Sequence, residues 1–285
     1  PMALSAKTSA LDKGAFYQNN LTGKSEIQRW ALTRTDDGYI REVRFQRAGG
    51  SEVKDADGIF GRRYALDRYG RPLKISYLNA EGEPQATTSG VAGRVYEYDI
   101  PGNLHKITYI NDKNQPVLNE AGWMICIDNY DENGNLREEQ LVDASGNPIL
   151  HKNGYAKMVI QYDGCGNRIE QAYFGIDGKP TLIEDGYAKV ICKYNEHGKL
   201  IGGQYCGIDG KPIFEKEGVA EFTMKYDERG NVIEQAYFGI DGRPVLQKSG
   251  YAKITRQYDE RGNQIAEAYF DTNGKPVLPK SGYAR

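Results

Sequence analysis

The three histidines are the first residues to consider for catalysis, because imidazole exchanges protons near neutral pH and binds metal ions. His105, His151 and His197 are widely separated in the sequence. None has a partner at the spacing of a metal site or a catalytic triad. We therefore predict three unrelated strand or surface histidines.

A second candidate chemistry is calcium binding by oxygen ligands. Asp131, Asn133 and Asn135 have the spacing that begins a calcium loop, and residues 271–274 have it more weakly. Neither segment continues to the bidentate Glu that completes an EF-hand loop. Asp, Asn and Gly are also the residues that tight turns require. The sequence therefore predicts turns here, with no metal and no cofactor.

Paired carboxylates could act as the acid and base of a glycosidase. Glu138 and Glu170 are such a pair, but carboxylates recur at this position every 32 residues, with no insertion that would build a cleft. No phosphate-binding loop, nucleophile elbow or dinucleotide fingerprint is present. We expect no catalytic residue and no enzymatic activity.

Aromatic residues recurring every 32 residues are the remaining candidates for binding. This aromatic ladder contains Tyr77, Tyr109, Tyr173, Tyr205, Tyr237 and Tyr269. Buried, these rings would be a structural spine that supplies the apolar contact a single hairpin lacks. Exposed, they would be a platform for stacking sugar rings or the side chains of a partner.

The elements that position these residues are tandem 32-residue repeats. Eight units begin at Arg34, Leu66, Tyr98, Tyr130, Tyr162, Tyr194, Tyr226 and Tyr258, and glycine recurs at three corners of each unit. Asn114 is the one replacement at the second corner, and Asn tolerates positive φ best after Gly. At the first corner, Asp227-Glu228-Arg229-Gly230 is typical of a type I turn with a G1 bulge. The first two corners are thus predicted hairpin turns.

The segments between the corners predict the strands. About seven residues separate the first two corners, and both faces of the strand end there are apolar. Proline recurs after the second corner, as at Pro180 and Pro212, which predicts an edge or bridging segment. The eighth position is predicted to face water; its charged residues include Glu42, Lys74, Glu138, Glu170 and Glu234.

Together these patterns predict an all-β fold, an elongated array of antiparallel hairpins forming a spiralling sheet or solenoid. A closed ring like a β-propeller is the alternative. Residues 1–25 fit the repeat poorly and form a cap or a degenerate repeat, and residues 26–285 form the array. The sequence stops partway through a unit, which suggests a segment of a longer protein.

The motif Tyr-Asp-x-x-Gly-Asn followed by an aliphatic residue, with a later Asp-Gly or Asn-Gly turn, resembles the YD repeats of Rhs-type bacterial toxins and teneurins. The resemblance covers roughly residues 30–285. It implies a spiralling β-sheet that can form a shell, usually outside the cell. We therefore expect a scaffold for protein interaction, or a structural shell or spacer, in a larger bacterial protein. A carbohydrate-binding module that uses the aromatic ladder is the alternative.

Composition restricts the partners. The 285 residues carry a net charge of −2 with Lys and Arg scattered among Asp and Glu, which argues against nucleic acid, and no apolar run is long enough to insert in a membrane. We expect a protein partner or covalently linked domains, and possibly a glycan. Four non-periodic cysteines predict free thiols and favour the cytoplasm, whereas the resemblance favours secretion or the cell surface.

Overall fold

The computed structural model describes residues 27–280, and all regular secondary structure in this range is β. The predicted cap at residues 1–25 lies outside it, as does the last corner glycine, Gly282. No helix in residues 27–280 could cross a membrane. The strands are β1 Arg29–Arg34, β2 Ile40–Gln46, β3 Gly61–Leu66, β4 Pro72–Leu78, β5 Gly93–Tyr98, β6 Leu104–Ile110, β7 Ile125–Tyr130, β8 Leu136–Val142, β9 Lys157–Tyr162, β10 Arg168–Phe174, β11 Lys189–Tyr194, β12 Leu200–Cys206, β13 Glu221–Tyr226, β14 Val232–Phe238, β15 Lys253–Tyr258, β16 Gln264–Phe270 and β17 Pro276–Val277.

The chain divides into two compact units, which are described separately. The first unit contains Pro1–Asp128 and Leu141–Asn147, and the second contains Asn129–Gln140 and Pro148–Arg285. In the first, β1 to β7 pair antiparallel in sequence order, and in the second β9 to β17 do the same. The predicted all-β array of antiparallel hairpins is confirmed. Within each unit the pairing runs on from strand to strand, whereas a propeller groups its strands into separate blades.

The first two corners have the predicted turn geometry. At the first corner of one repeat, the Asp67 amide donates to the Arg71 carbonyl (2.9 Å), and the Gly70 amide donates to the Asp67 carbonyl (3.0 Å). Gly70 has a φ of 77°, and the strand register shifts beside it between Ala65 and Leu66, as a bulge requires. Asn114, at a second corner, is the only non-glycine residue with positive φ in the described range, at 61°.

The third corner repeats the same turn, which the sequence did not reveal. The Ile183 amide donates to the Tyr187 carbonyl (2.9 Å), and the Gly186 amide donates back to Ile183 (2.8 Å). In the second unit these corners are also bonded to one another: the Glu184 amide donates to the Asn153 carbonyl at 2.8 Å. The same bond recurs from Lys216 to Asp185, Lys248 to Glu217, and Lys280 to Ser249.

The recurrent proline segment connects one hairpin to the next, which is the second of its two predicted roles. Pro180 forms an isolated antiparallel bridge with Phe174, the last residue of β10, and Pro212 forms the same bridge with Cys206. The chain then turns at the third corner and returns as the first strand of the next hairpin. Proline is tolerated because the short bridge does not need a hydrogen bond from the N–H group that proline lacks.

The two units fill their interiors differently. The first unit has a core cluster of mainly aliphatic side chains, which contains Val43, Phe45, Val53, Ile59, Tyr64, Ile75, Tyr77 and Val91. In the second unit, alanine recurs as a buried residue directly after the third corner, at Ala156, Ala188, Ala220 and Ala252. Because the alanine side chains are small, the larger aromatic rings beside them fill the space between hairpins.

The prediction that the eighth position faces water is wrong. The side chains of Glu42, Glu138, Glu170 and Glu234 are between 21% and 33% exposed. Each forms an ion pair across the sheet: Glu42 with Arg63 at 2.8 Å, and Glu170 with Lys189 at 3.2 Å. Arg63 lies directly opposite Glu42 on the next strand, whereas Lys189 is a diagonal neighbour of Glu170. The carboxylates lie between strands because one of these cross-strand neighbours carries the opposite charge.

Candidate functional site

The predicted aromatic ladder lies at the ends of the second strands of the hairpins. Tyr77 and Tyr173 are buried, at 7% and 8% exposure, and the other four, Tyr109, Tyr205, Tyr237 and Tyr269, are half-buried. Each tyrosine faces its pairing partner on the preceding strand, as Tyr205 faces Val190 and Tyr237 faces Phe222. Whether these rings bind a ligand stays a prediction.

In the second unit, a second set of tyrosines alternates with the predicted ones. Tyr155, Tyr187 and Tyr251 follow the third-corner glycines. Tyr187 and Tyr251 insert between ladder rings of successive repeats, and Tyr155 contacts Tyr173 on one side and His151 on the other. Tyr187 lies 6.0 Å from Tyr173 and 4.8 Å from Tyr205, between ring centroids. The recurring Gly-Tyr-Ala motif is the signal in the sequence that could have revealed them.

One repeat of the second unit replaces this tyrosine and compensates for it. Val219 stands after its third-corner glycine and is only 4% exposed. Phe222, three residues later, places its ring centroid 6.0 Å from that of Tyr205. The aromatic contact is therefore kept although the residue that supplies it has moved along the chain.

In the first unit, one tryptophan and two arginines lie beside the ladder rings. Trp123, which follows the third-corner glycine Gly122, lies 4.8 Å from Tyr109 between ring centroids. The Arg62 guanidinium lies 5.7 Å from the Phe45 ring centroid, and Arg94 lies 5.2 Å from that of Tyr109. The Nε of Arg94 is buried and makes no hydrogen bond. Its proximity to the electron-rich ring faces stabilises the cation, and the pKa of Arg94 is raised mainly by Tyr77 and Tyr109, against the effect of burial.

The hydroxyls of the YD tyrosines join each hairpin to the preceding one. The Tyr194 hydroxyl donates to the Arg168 carbonyl at 3.0 Å, and Tyr226 donates to the Leu200 carbonyl at 2.7 Å. The same bond, always to a residue 26 positions earlier, is made by Tyr98, Tyr162 and Tyr258. The tyrosine of the motif is thus a tie between repeats.

The aspartate and asparagine of the motif are engaged in the turn. Asp131 Oδ1 accepts from the amides of Asn133 (2.9 Å) and Asn135 (2.8 Å), and Oδ2 accepts from the side-chain amide of Asn135 (3.0 Å). These bonds hold the pKa of Asp131 below its usual value, with the Asn135 side chain as the largest cause. Turn geometry accounts for every residue of this supposed calcium loop.

Three of the ladder tyrosines, Tyr205, Tyr237 and Tyr269, have raised pKa values, which favour their neutral form. Burial raises the pKa of Tyr205 and of Tyr237 to about 12. The pKa of Tyr269 is also about 12, because its hydroxyl donates to the Glu267 carboxylate. Removing the proton would place a negative charge in a partly desolvated position.

One histidine and one cysteine share a neighbour. His105 Nδ1 lies 2.8 Å from the Asp128 carbonyl, and the Cys126 thiol donates to Asp128 Oδ1 at 3.4 Å. His151 stacks on Tyr155, and His197 is exposed. All four cysteines, Cys126, Cys165, Cys192 and Cys206, are free thiols, as predicted, and only Cys165 is exposed. That the chain has no catalytic residue stays a prediction.

The sequence matches no protein family and no curated protein. Among solved structures, the chain is similar to TcdB2-TccC3, with 14% identity and a TM-score of 0.34 over 86% of this chain and 13% of that chain. For TcdB2-TccC3 without its hypervariable C-terminal region, the identity is 13% and the TM-score 0.37, over 87% and 14%. For a mutant Tc holotoxin pore of Photorhabdus luminescens, the identity is 12% and the TM-score 0.23, over 90% of this chain and 14% of that chain. The chain spans only 13 to 14% of the length of these solved chains.

Proposed function

We propose that this chain is a non-catalytic repeat scaffold, which serves as a structural shell or spacer, or as a protein-interaction array, in a larger bacterial protein. The observation that carries the proposal is the use of the motif residues. The hydroxyl of Tyr194, the carboxylate of Asp163 and the amide of Asn167 all hold hairpins or turns together. The Tyr, Asp and Asn of the repeated motif therefore make hydrogen bonds that stabilise the fold.

The ladder rings are engaged in the same way. Tyr187 has aromatic neighbours on both sides, at 4.8 Å and 6.0 Å, and Tyr251 lies 4.7 Å from Tyr269. A sugar platform needs ring faces that are open to solvent. Half-buried rings that contact each other supply instead the interface between neighbouring repeats, which repeat arrays need for stability. Protein partners or covalently linked domains are the occupants expected for such a scaffold.

Truncating a ladder ring tests this proposal. Tyr205→Ala should lower the free energy of unfolding by about 3 kcal/mol, the low end of the cost for a buried aromatic because the ring is only half-buried. Denaturant melts measure this loss. Tyr69→Ala is the matched control, since Tyr69 is 60% exposed and should cost less than about 0.5 kcal/mol.

Titration with soluble oligosaccharides, followed by tyrosine fluorescence, completes the test. The scaffold proposal expects no saturable quenching. Unchanged stability of Tyr205→Ala, combined with quenching that this variant loses, would show that the ladder is a carbohydrate-binding platform.

A further inference from the structure

The second corners of the second unit carry a row of exposed isoleucines. Ile176, Ile208 and Ile240 are equivalent in three successive repeats, and they are 58%, 62% and 56% exposed. An exposed β-branched side chain at a turn gains little from its own repeat. The recurrence of three such residues along one edge therefore calls for a reason outside the turn.

Turn geometry does not require isoleucine. First and second corners have the same hydrogen bonds: Gly198 donates to the Asn195 carbonyl at 2.9 Å, and Gly210 donates to the Gly207 carbonyl at 3.0 Å. Yet the residue that corresponds to Ile208 is Glu196 at the first corner of the same repeat. Two edges with one backbone conformation thus carry different chemistry.

Further apolar side chains accompany these isoleucines. Leu182, Phe214 and Leu246, six residues after each isoleucine, are 44%, 44% and 47% exposed. The Phe214 ring lies against Gly239, where an added Cβ would be 3.4 Å from it, and Gly239 directly precedes Ile240. We call these six residues the second-corner row. They expose several hundred Å² of apolar surface, the size at which exposed patches mark interaction sites.

Balanced charges flank the second-corner row. Each corner has an aspartate two residues before a lysine or arginine: Asp177 and Lys179, Asp209 and Lys211, Asp241 and Arg243. The aspartates are 58% exposed and the cations 81% to 86%, and the N–O separations within each pair are 3.7–3.9 Å. A surface of alternating sign with no net charge matches neither a polyanion nor a polycation. Its charges are complementary to those of a second copy in the antiparallel orientation.

We propose that the second-corner row binds a second copy of this chain in a two-fold, antiparallel arrangement. Three equally spaced isoleucines allow this: Ile208 lies at the axis, and Ile176 faces the second copy's Ile240. Each aspartate then approaches a cation of the other copy. A two-fold interface uses the same patch on both subunits, so self-complementary charge is what it requires. This proposal does not depend on the proposed function.

Sedimentation of the full chain between about 1 and 100 µM tests the association. Because the row is small for a stable interface, we expect a reversible dimer in the micromolar range. Ile208→Asp should weaken dimerisation at least 10-fold; Asp112 shows that the turn accepts this residue, since it occupies the equivalent position in another repeat. Glu196→Asp, at the first corner, is the matched control and should dimerise like the parent. Unchanged circular dichroism and melting temperature show that each variant is folded.

Charge exchange tests the orientation. The basic variant carries Asp177→Lys, Asp209→Lys and Asp241→Lys, and the acidic variant carries Lys179→Glu, Lys211→Glu and Arg243→Glu. Lys113 and Glu83 occupy these positions in other repeats, so the turns accept both. Each variant alone should remain monomeric, and an equimolar mixture should dimerise.

Three results would overturn the proposal. The first is a parent chain that is monomeric at 100 µM, which would mean that the second-corner row binds a different protein. The second is an Ile208→Asp variant that dimerises like the parent. The third is an equimolar mixture of the basic and acidic variants that stays monomeric.

Discussion

The two units place different side chains between equivalent rings. In the first unit, Arg62 lies over Phe45, and Arg94 shares Tyr109 with the ring of Trp123, whereas in the second unit Tyr187 and Tyr251 fill the corresponding gaps without an arginine. A guanidinium over a ring is attracted by the charge distribution of the ring, and two tilted phenols by edge-to-face contact. The same hairpin backbone therefore accommodates a row of rings with intervening arginines and a row of rings with intervening tyrosines.

The first residue of the first strand of a hairpin also differs between repeats. It is Gly61 in β3 and Gly93 in β5 of the first unit, and Lys157, Lys189 and Lys253 in β9, β11 and β15 of the second; the other first strands begin at Arg29, Ile125 and Glu221. A Cβ at Gly93 would lie 2.2 Å from the Ile75 carbonyl oxygen, which no real side chain tolerates. Strand β4 thus approaches β5 closely enough to exclude a side chain at Gly93, and β2 approaches β3 in the same way at Gly61.

The largest effect that would separate the two units is expected for Gly93→Ala. The added methyl group must push β5 away from β4, and overpacking of this kind costs about 2–3 kcal/mol. Both tryptophans, Trp30 and Trp123, lie in the first unit, so tryptophan fluorescence during denaturation reports its unfolding.

Lys189→Ala is the matched change in the second unit. It removes only the ion pair with Glu170, and should cost less than about 1 kcal/mol. Equal losses for the two variants would show that the close approach of β4 and β5 is not a distinguishing property of the first unit.

A smaller loss of stability is expected when the pH is raised above 10. The pKa values of Tyr205 and Tyr237 are raised to about 12, so the fold favours their protonated forms. Their contribution to stability is complete below pH 10, where the unfolded chain begins to lose these protons, and it is lost as the pH rises through 12. After allowance for partial exposure, about 1 kcal/mol is expected for each ring.

Near-ultraviolet circular dichroism between pH 9 and 12 checks this prediction. The double variant Tyr205→Phe with Tyr237→Phe should lose less stability over this range than the parent. In the first unit, burial raises the pKa of Tyr77, against the positive charges of Arg94 and Arg62, and it raises the pKa of Tyr98 to about 12, so tryptophan fluorescence should respond to base as well. A double variant as sensitive to base as the parent would contradict the assignment.

The smallest effect is expected from chelation. The carboxylates of Asp131 and Asp271 accept amide hydrogen bonds in their own turns, so EDTA should leave the melting temperature unchanged to within about 1 °C. A fall of several degrees that calcium reverses would mean that the corners bind metal.

The backbone was largely predictable because its determinants are local. Asn114 at positive φ, the bulges after the first corner and the proline bridges follow from the residue types at those positions. A turn is decided by four or five consecutive residues, and the 32-residue period then repeats the result.

The spine was only half predictable because it depends on contacts between repeats. Tyr187 belongs to a turn, and its position between Tyr173 and Tyr205 arises from the way the third corners are bonded. Alternation within a strand cannot show such a contact. Glu170 was misassigned for the same reason, since Lys189, its partner, lies on the next strand.

The ties between repeats have a consequence for synthesis on the ribosome. The tyrosine tie spans 26 residues, and the third-corner bond joins residues 31 positions apart, as from Glu184 to Asn153. At about 5–20 residues per second, the next repeat emerges within several seconds. Each new hairpin then finds a finished template directly behind it. Folding can follow translation from the N-terminal side, one hairpin at a time, without waiting for any distant part of the chain.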